Sequence, residues 1–195
     1  MKIGIFGGSF NPPHNMHENI GKELLKRKYL DSIIYVPTGI KYEYKDNLLP
    51  NKHRFNMLKL MTAKEKKFSV SDHEFKKNVI YTYETLDYFK KVYKEAEIYF
   101  ICGADNLSYI DEWERGTYIL TNYKIIAIAR NTDDLDSILE KYSDYRENIE
   151  VAKIPPIDLS STKIRDLIKE GDYASLNNYL DKDVINYIIK EDLYK

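Results

Sequence analysis

Short apolar runs, each closed by glycine, proline or charge, alternate along the chain with longer stretches whose apolar positions recur every three or four residues. Lys2–Phe6 is compact, β-branched and followed by Gly7 and Gly8, which predicts a first strand. Ile20, Leu24 and Leu25 share one face of a helix over about 16–28. Ser32–Val36 predicts a second strand stopped by Pro37. Phe55, Leu58 and Met61 mark a helix over 52–63, and 67–70 reads as a short strand. A helix over 80–93 is expected to bury Tyr83, Leu86, Tyr88 or Phe89, and Tyr93. Glu97–Cys102, Lys124–Ala129 and Ile149–Lys153 complete the set of strands. Residues 131–148 are acidic and polar, as in a solvated helix with its loops. From about residue 155 onward the pattern reads as helical throughout, anchored by Leu167, Ile168, Leu176, Leu180, Ile185 and Ile188.

A strand–helix rhythm of this kind predicts an α/β fold: a doubly wound, mostly parallel, Rossmann-like sheet with helices on both faces and a helical C-terminus. Right-handed crossovers leave few topologies, and the simplest, doubly wound, puts the first strand beside the fourth at the switch point of the sheet, where ligands bind beyond the carboxyl ends of the strands. Those ends carry Gly7-Gly8-Ser9-Phe10 and Gly103-Ala104-Asp105. No break in composition divides the chain, so 1–195 is expected to form one domain, with 160–195 packed on it.

Composition narrows the class without naming it. The 195 residues carry 30 Lys+Arg against 31 Asp+Glu, a net charge of −1, which argues against a polybasic nucleic-acid coat or membrane binder. A single cysteine, Cys102, rules out an intrachain disulfide framework and a multi-cysteine zinc site. The first apolar run is broken too early for a signal peptide, and no stretch approaches the roughly 20 apolar residues of a membrane span. The expectation is a soluble, cytoplasmic protein with no nucleic acid and no membrane as partner. Its amphipathic helices are compatible with a homo-oligomer.

Two segments carry candidate chemistry. The first is Gly7-Gly8-Ser9-Phe10-Asn11-Pro12-Pro13-His14-Asn15-Met16-His17. It matches neither G-x-x-x-x-G-K-[ST] nor G-x-G-x-x-G, which counts against a P-loop NTPase and a conventional dehydrogenase. The glycine pair lets a phosphate or ribose come close to backbone, and equally serves as an ordinary turn. His14 and His17 lie around the first turn of a helix, whose N-terminus favours an anion. As metal ligands they lack a nearby third donor. The second segment is Leu159-Ser160-Ser161-Thr162-Lys163-Ile164-Arg165, where Ser160 or Ser161 can cap a helix and Arg165 lies about one turn in. Alone it would be a capped helix with a solvated arginine. After the last strand it supplies a second anion-binding helix N-terminus on the same rim.

The first segment resembles the nucleotidyltransferase signature G-G-[ST]-F-[DN]-P-x-H-x-G-H, and SSTKIR resembles its partner element S-[ST]-T-x-[IV]-R. With Thr82-Tyr83-Glu84-Thr85-Leu86 and Gly103-Ala104-Asp105 followed by Trp113, the chain is similar over nearly its whole length to the nicotinate or nicotinamide mononucleotide adenylyltransferases. The resemblance implies transfer of AMP from ATP to the 5′-phosphate of a pyridine mononucleotide, in NAD biosynthesis, with release of pyrophosphate and no covalent intermediate. It implies that His14 and His17 contact the ATP phosphates, and that Arg165, Ser160, Ser161 and Thr162 hold the leaving group. Gly7, Gly8, Ser9 and Phe10 would line the groove, and Gly103 and Asp105 would meet the adenosine ribose. Thr82 and Trp113 would border the acceptor, Trp113 by stacking on the pyridine ring or, alternatively, as a core indole. Mg²⁺ would ride on the phosphates, with no metal site of the protein's own.

Two departures from the family pattern stand out. Met16 replaces the usual glycine between the histidines, which puts a side chain where bare backbone is typical. The P-P-H-K segment common after the second strand is absent, and Lys41 and Lys45 are the substitutes, Lys45 being preferred. Arg130 is a further acceptor-side candidate. Two other functions compete: adenylylation of another phosphorylated acceptor such as phosphopantetheine, and a silent nucleotide-binding regulator.

Overall fold

The computed structural model describes residues 1–39, 48–76, 80–129, 134–155 and 160–195. Six strands, β1 (Lys2–Gly8), β2 (Ser32–Pro37), β3 (Phe68–Val70), β4 (Glu97–Gly103), β5 (Lys124–Ala129) and β6 (Ile149–Lys153), form one sheet in the order β3-β2-β1-β4-β5-β6. Every pairing is parallel. Phe6 sits opposite Tyr35 on one side and Ile101 on the other, so β1 is central and β4 is its neighbour at the switch point. The helices are α1 (Asn15–Lys26), α2 (Asn51–Thr62), α3 (Thr82–Val92), α4 (Ala104–Leu107), α5 (Gly116–Asn122), α6 (Leu135–Lys141), α7 (Ser161–Lys169) and α8 (Lys182–Lys190).

Alternation along the strands divides the core in two. Phe6, Tyr35, Tyr99, Ile101, Ile126 and Ile128 face one layer, where Leu24 of α1, Leu58 of α2, Ile164 of α7 and Val184 of α8 pack on them. Ile3, Ile5, Ile34, Phe100 and Ile125 face the other, covered by Leu86 and Phe89 of α3 and by Ile119 and Leu120 of α5. Each such side chain contributes about 1.5–3 kcal/mol by leaving water, so the two layers hold the strand ends rigidly. The helices of residues 160–195 thus belong to the first layer and seal it. No helix among the described residues is long and apolar enough to cross a membrane.

Three expectations need correction. Gly7 and Gly8 do not follow β1 but are its last two residues, opposite Val36 and Pro37. Tyr93 is not buried: it caps the end of α3 and is 37% exposed, its ring stacked on Phe89 from outside. The stretch after 155 is not helical throughout. Gly171, with φ of 77°, ends α7 by accommodating a left-handed turn, and a short 3₁₀ turn at Ser175–Asn178 intervenes before α8. The acidic stretch is a solvated helix as expected, α6 having no buried residue, although Tyr142 just after it is buried and donates to Asp111.

Candidate active site

The loop 9–14 leaves the carboxyl end of β1 and is shaped from below. Phe10 takes φ of 47° and turns its ring inward, 2% exposed, edge-on to His17 at 4.9 Å. A side chain on Gly21 would meet the Tyr35 hydroxyl at 2.3 Å, so the glycine lets α1 lie close enough for Tyr35 to donate to the His17 carbonyl at 3.1 Å. His14 is the N-cap of α1, and its ring stacks on that of His17 with centroids 3.7 Å apart. The backbone N–H of His14 donates to Nδ1 of His17 at 3.1 Å. An accepting Nδ1 leaves the proton of the neutral ring on Nε2, so His17 presents an N–H donor there.

α7 is docked directly on this loop. Ser160 caps the helix by accepting from the Lys163 N–H, and Ser161 donates to the Pro12 carbonyl at 2.9 Å. Arg165 Nη1 donates to the Asn11 carbonyl at 2.9 Å and Nη2 to Thr162 Oγ1 at 3.0 Å, which fixes the plane of the guanidinium. His14, His17, Ser160, Ser161, Thr162 and Arg165 are therefore gathered around one loop. The N-termini of α1 and α7 meet there, and their dipoles add to the charge of Arg165.

Gly7 borders open space, so a side chain there would project into the groove, whereas one on Gly8 would press on the Phe10 ring at 3.1 Å. At the end of β4, a side chain on Gly103 would lie 2.1 Å from Asp105 Oδ1, so the carboxylate folds back over the strand end and would have to swing away from any larger residue there. Asp105 itself is exposed. Thr82 opens α3, and Trp113, half-buried, packs edge-on against Phe100 at 6.1 Å. Both belong to elements on the opposite face of the sheet from His14, His17 and Arg165. Met16 points into the first core layer, 8% exposed, and away from the groove. Lys41, Lys45 and Arg130 lie outside the described residues.

Sequence reasoning missed Arg54. Its guanidinium is fully buried and donates to the carbonyls of Ser9 (2.9 Å), Thr38 (2.6 Å) and Leu49 (2.9 Å) and to Asn51 Oδ1 (2.6 Å). It ties the ends of β1 and β2 to the start of α2. Burial pushes its pKa down to about 10, which leaves it cationic at neutral pH. The signal was present: Arg54 stands on the same stripe of α2 as Met57, Leu58 and Met61, and a charge on a buried stripe is rare unless it is used.

Donor-rich, basic and open at the carboxyl ends of β1 and β4, the groove suits a polyphosphate lying across the switch point. Among known proteins, residues 5–167 match the cytidylyltransferase-like family model. The chain belongs to this family. Relatives extend over its whole length: it is 35% identical to the "Probable nicotinate-nucleotide adenylyltransferase" of Clostridium tetani, covering 100% of this chain and 99% of that one. It is 36% identical to the protein of the same description from Carboxydothermus hydrogenoformans, covering 100% and 98%. Among solved structures, the nicotinic acid mononucleotide adenylyltransferase of Plasmodium falciparum complexed with NaAD superimposes with a TM-score of 0.84 at 25% identity, covering 99% and 97%. The same enzyme complexed with APC gives 0.82 at 25% identity, covering 99% and 96%. The chain therefore sits in the nicotinate-nucleotide adenylyltransferase branch of the family.

Proposed function

We propose that the protein transfers AMP from ATP to the 5′-phosphate of nicotinate mononucleotide, releasing pyrophosphate and forming the dinucleotide of NAD biosynthesis. The observation that carries this reading is the convergence of His17, Arg165 and two helix N-termini on the loop 9–14, in a chain matched along its full length by relatives described as probable nicotinate-nucleotide adenylyltransferases. A phosphate oxygen of the acceptor attacks the α-phosphorus of ATP, and the bond to the β-phosphate oxygen breaks on the opposite side. The protein's task is alignment and charge stabilisation.

Nε2–H of His17, with the His14 ring stacked behind it, donates to the α-phosphate as negative charge builds there. Arg165, Ser161 and Thr162 hold the β- and γ-phosphates and take the charge of the departing pyrophosphate. Gly7 to Phe10 let the triphosphate lie against backbone, Gly103 and Asp105 receive the ribose, and Thr82 and Trp113 border the pyridine nucleotide from the other face of the sheet. The donor set here is imidazole, guanidinium, hydroxyl and N–H, which fits a Mg²⁺ carried by the phosphates themselves, where it would neutralise charge on the leaving group. ATP and a small phosphorylated acceptor as substrates suit a cytoplasmic enzyme without nucleic-acid or membrane partners.

The test supplies the purified chain with ATP, Mg²⁺ and one acceptor at a time and measures pyrophosphate. Release with nicotinate mononucleotide is expected. Release with phosphopantetheine alone, or ATP binding without turnover on any acceptor, would overturn the reading.

A further inference from the structure

The segment after α8, distant along the chain from the motif at residues 7–17, returns to the active-site loop. Leu193 N–H donates to the Ile188 carbonyl and Asp192 N–H to that of Ile189, a helix-ending turn that puts Asp192 in the left-handed region at φ 54°. Tyr194 follows at φ 68°. Two successive left-handed turns flank Leu193, whose side chain is buried in the first core layer. Non-glycine residues hold such angles only where the surroundings over-determine them. Here the result is that the Tyr194 hydroxyl donates to Asn11 Oδ1 at 3.0 Å.

Asn11 is a junction. Its side-chain oxygen also accepts the Leu49 N–H at 3.3 Å, and its backbone carbonyl receives Arg165 Nη1. The Leu49 carbonyl in turn accepts Arg54 Nε. We propose that Tyr194 is a positioning residue for the triphosphate site: by clamping the Asn11 side chain it sets the carbonyl that orients Arg165. Burial pushes the Tyr194 phenol well above the usual tyrosine range, while the nearby charges of Arg165 and Arg54 draw it back. The hydroxyl therefore stays protonated and remains a donor at working pH. Removing it takes away one of the bonds that hold the Asn11 side chain and loosens the loop there, so the guanidinium is held less firmly in its plane before ATP arrives.

The role assigned to Arg165 rests on the adenylyltransferase reading, so the experiment separates the two. Full-length wild type and Tyr194→Phe are compared in ATP–Mg²⁺ binding by calorimetry, in steady-state kinetics with each substrate varied, and in melting temperature. The expected result is weaker ATP binding and a KM for ATP raised about three- to tenfold, the worth of one hydrogen bond. Acceptor KM stays within about twofold, and the melting temperature falls by no more than about 2–4 °C, the cost of one hydrogen bond. In an Arg165→Ala background, Tyr194→Phe should alter ATP binding less than about twofold, because the coupling has lost its far end. Unchanged ATP affinity in Tyr194→Phe overturns the proposal. So does a parallel rise in both KM values with a larger fall in melting temperature, or a full effect that persists without Arg165. A wild type that binds ATP but turns over no acceptor removes the functional reading, and the Tyr194 comparison is still read from the binding constant.

Discussion

The backbone N–H of His14 donates to Nδ1 of His17 at 3.1 Å while their rings lie stacked 3.7 Å apart. One bond thus does two things: it satisfies a donor at the start of α1, and it fixes which ring nitrogen of a neutral His17 carries the N–H. Replacing His17 by alanine should lower kcat by about a hundredfold or more, in line with losing a donor aimed at developing charge. The cost to the fold should be only that of a helix cap, about 1 kcal/mol, or about 2–4 °C in melting temperature for a chain of this length. Pyrophosphate release and thermal unfolding measure the two separately. A kcat within a few-fold of wild type would sink the role of His17.

Arg54 gives the converse case, a charge whose first duty is to hold backbone. Arg54→Met keeps much of the volume and leaves the carbonyls of Ser9, Thr38 and Leu49 without this donor. At about 1–3 kcal/mol for each buried group left unsatisfied, a loss of about 3 kcal/mol or more is expected, which is about 10 °C in melting temperature. Arg54→Lys keeps the charge but cannot span three carbonyls with a planar fork, so it should recover little of that loss. Equal melting temperatures for Arg54→Lys and wild type would show that charge, not the fork, matters there.

What could be read from the sequence and what could not divide along physical lines. The strands and the larger helices announce themselves because their apolar period is local, and β1 beside β4 is the simplest doubly wound order among the few that right-handed crossovers leave. The motif residues His14, His17 and Arg165 stand out by type and spacing. Asn11 stands in the motif and Arg54 shows as a charge on an apolar stripe, but their roles, like that of Tyr194, depend on bonds across 154, 45 and 183 positions of chain, to Arg165, Ser9 and Asn11. No period encodes such contacts. α5 was missed for a different reason: it is short, and it begins only after Arg115 takes a left-handed turn at φ 54°, with Gly116 so close to the Ile110 carbonyl that no side chain fits.

A third prediction concerns the fold alone. α1 ends with Tyr29 N–H donating to the Leu24 carbonyl and Lys28 N–H to that of Leu25, which forces Lys28 to φ 60°. The position is exposed and remote from the groove. Glycine accepts this angle without steric cost, so Lys28→Gly should stabilise the chain by about 0.5–1 kcal/mol, net of the extra freedom it gives the unfolded state. Denaturant midpoints compare the two proteins, and adenylyl transfer should be unchanged. A lower midpoint would mean that the lysine side chain contributes more than its strained backbone costs.

Trp113 is the only tryptophan of the chain, half-buried against Phe100 and Tyr109 near the carboxyl rim of the sheet. With one edge packed on aromatic rings, the indole is held in a set orientation, which lowers the entropic cost of stacking on a second ring. An electron-poor pyridinium placed on that indole would quench its emission. Nicotinate mononucleotide should therefore reduce tryptophan fluorescence saturably, while an acceptor without an aromatic ring, such as phosphopantetheine, should not. Stacking on an aromatic side chain contributes about 1–3 kcal/mol, so Trp113→Ala should raise the acceptor KM by about tenfold or more. Trp113→Phe should keep part of that affinity, and the KM for ATP should stay constant in both, since His17 and Arg165 lie on the other face of the sheet. If Trp113→Ala leaves acceptor KM unchanged, the indole is a packing residue of the second core layer, and the wall of the acceptor site must be sought elsewhere along the rim between α3 and α5.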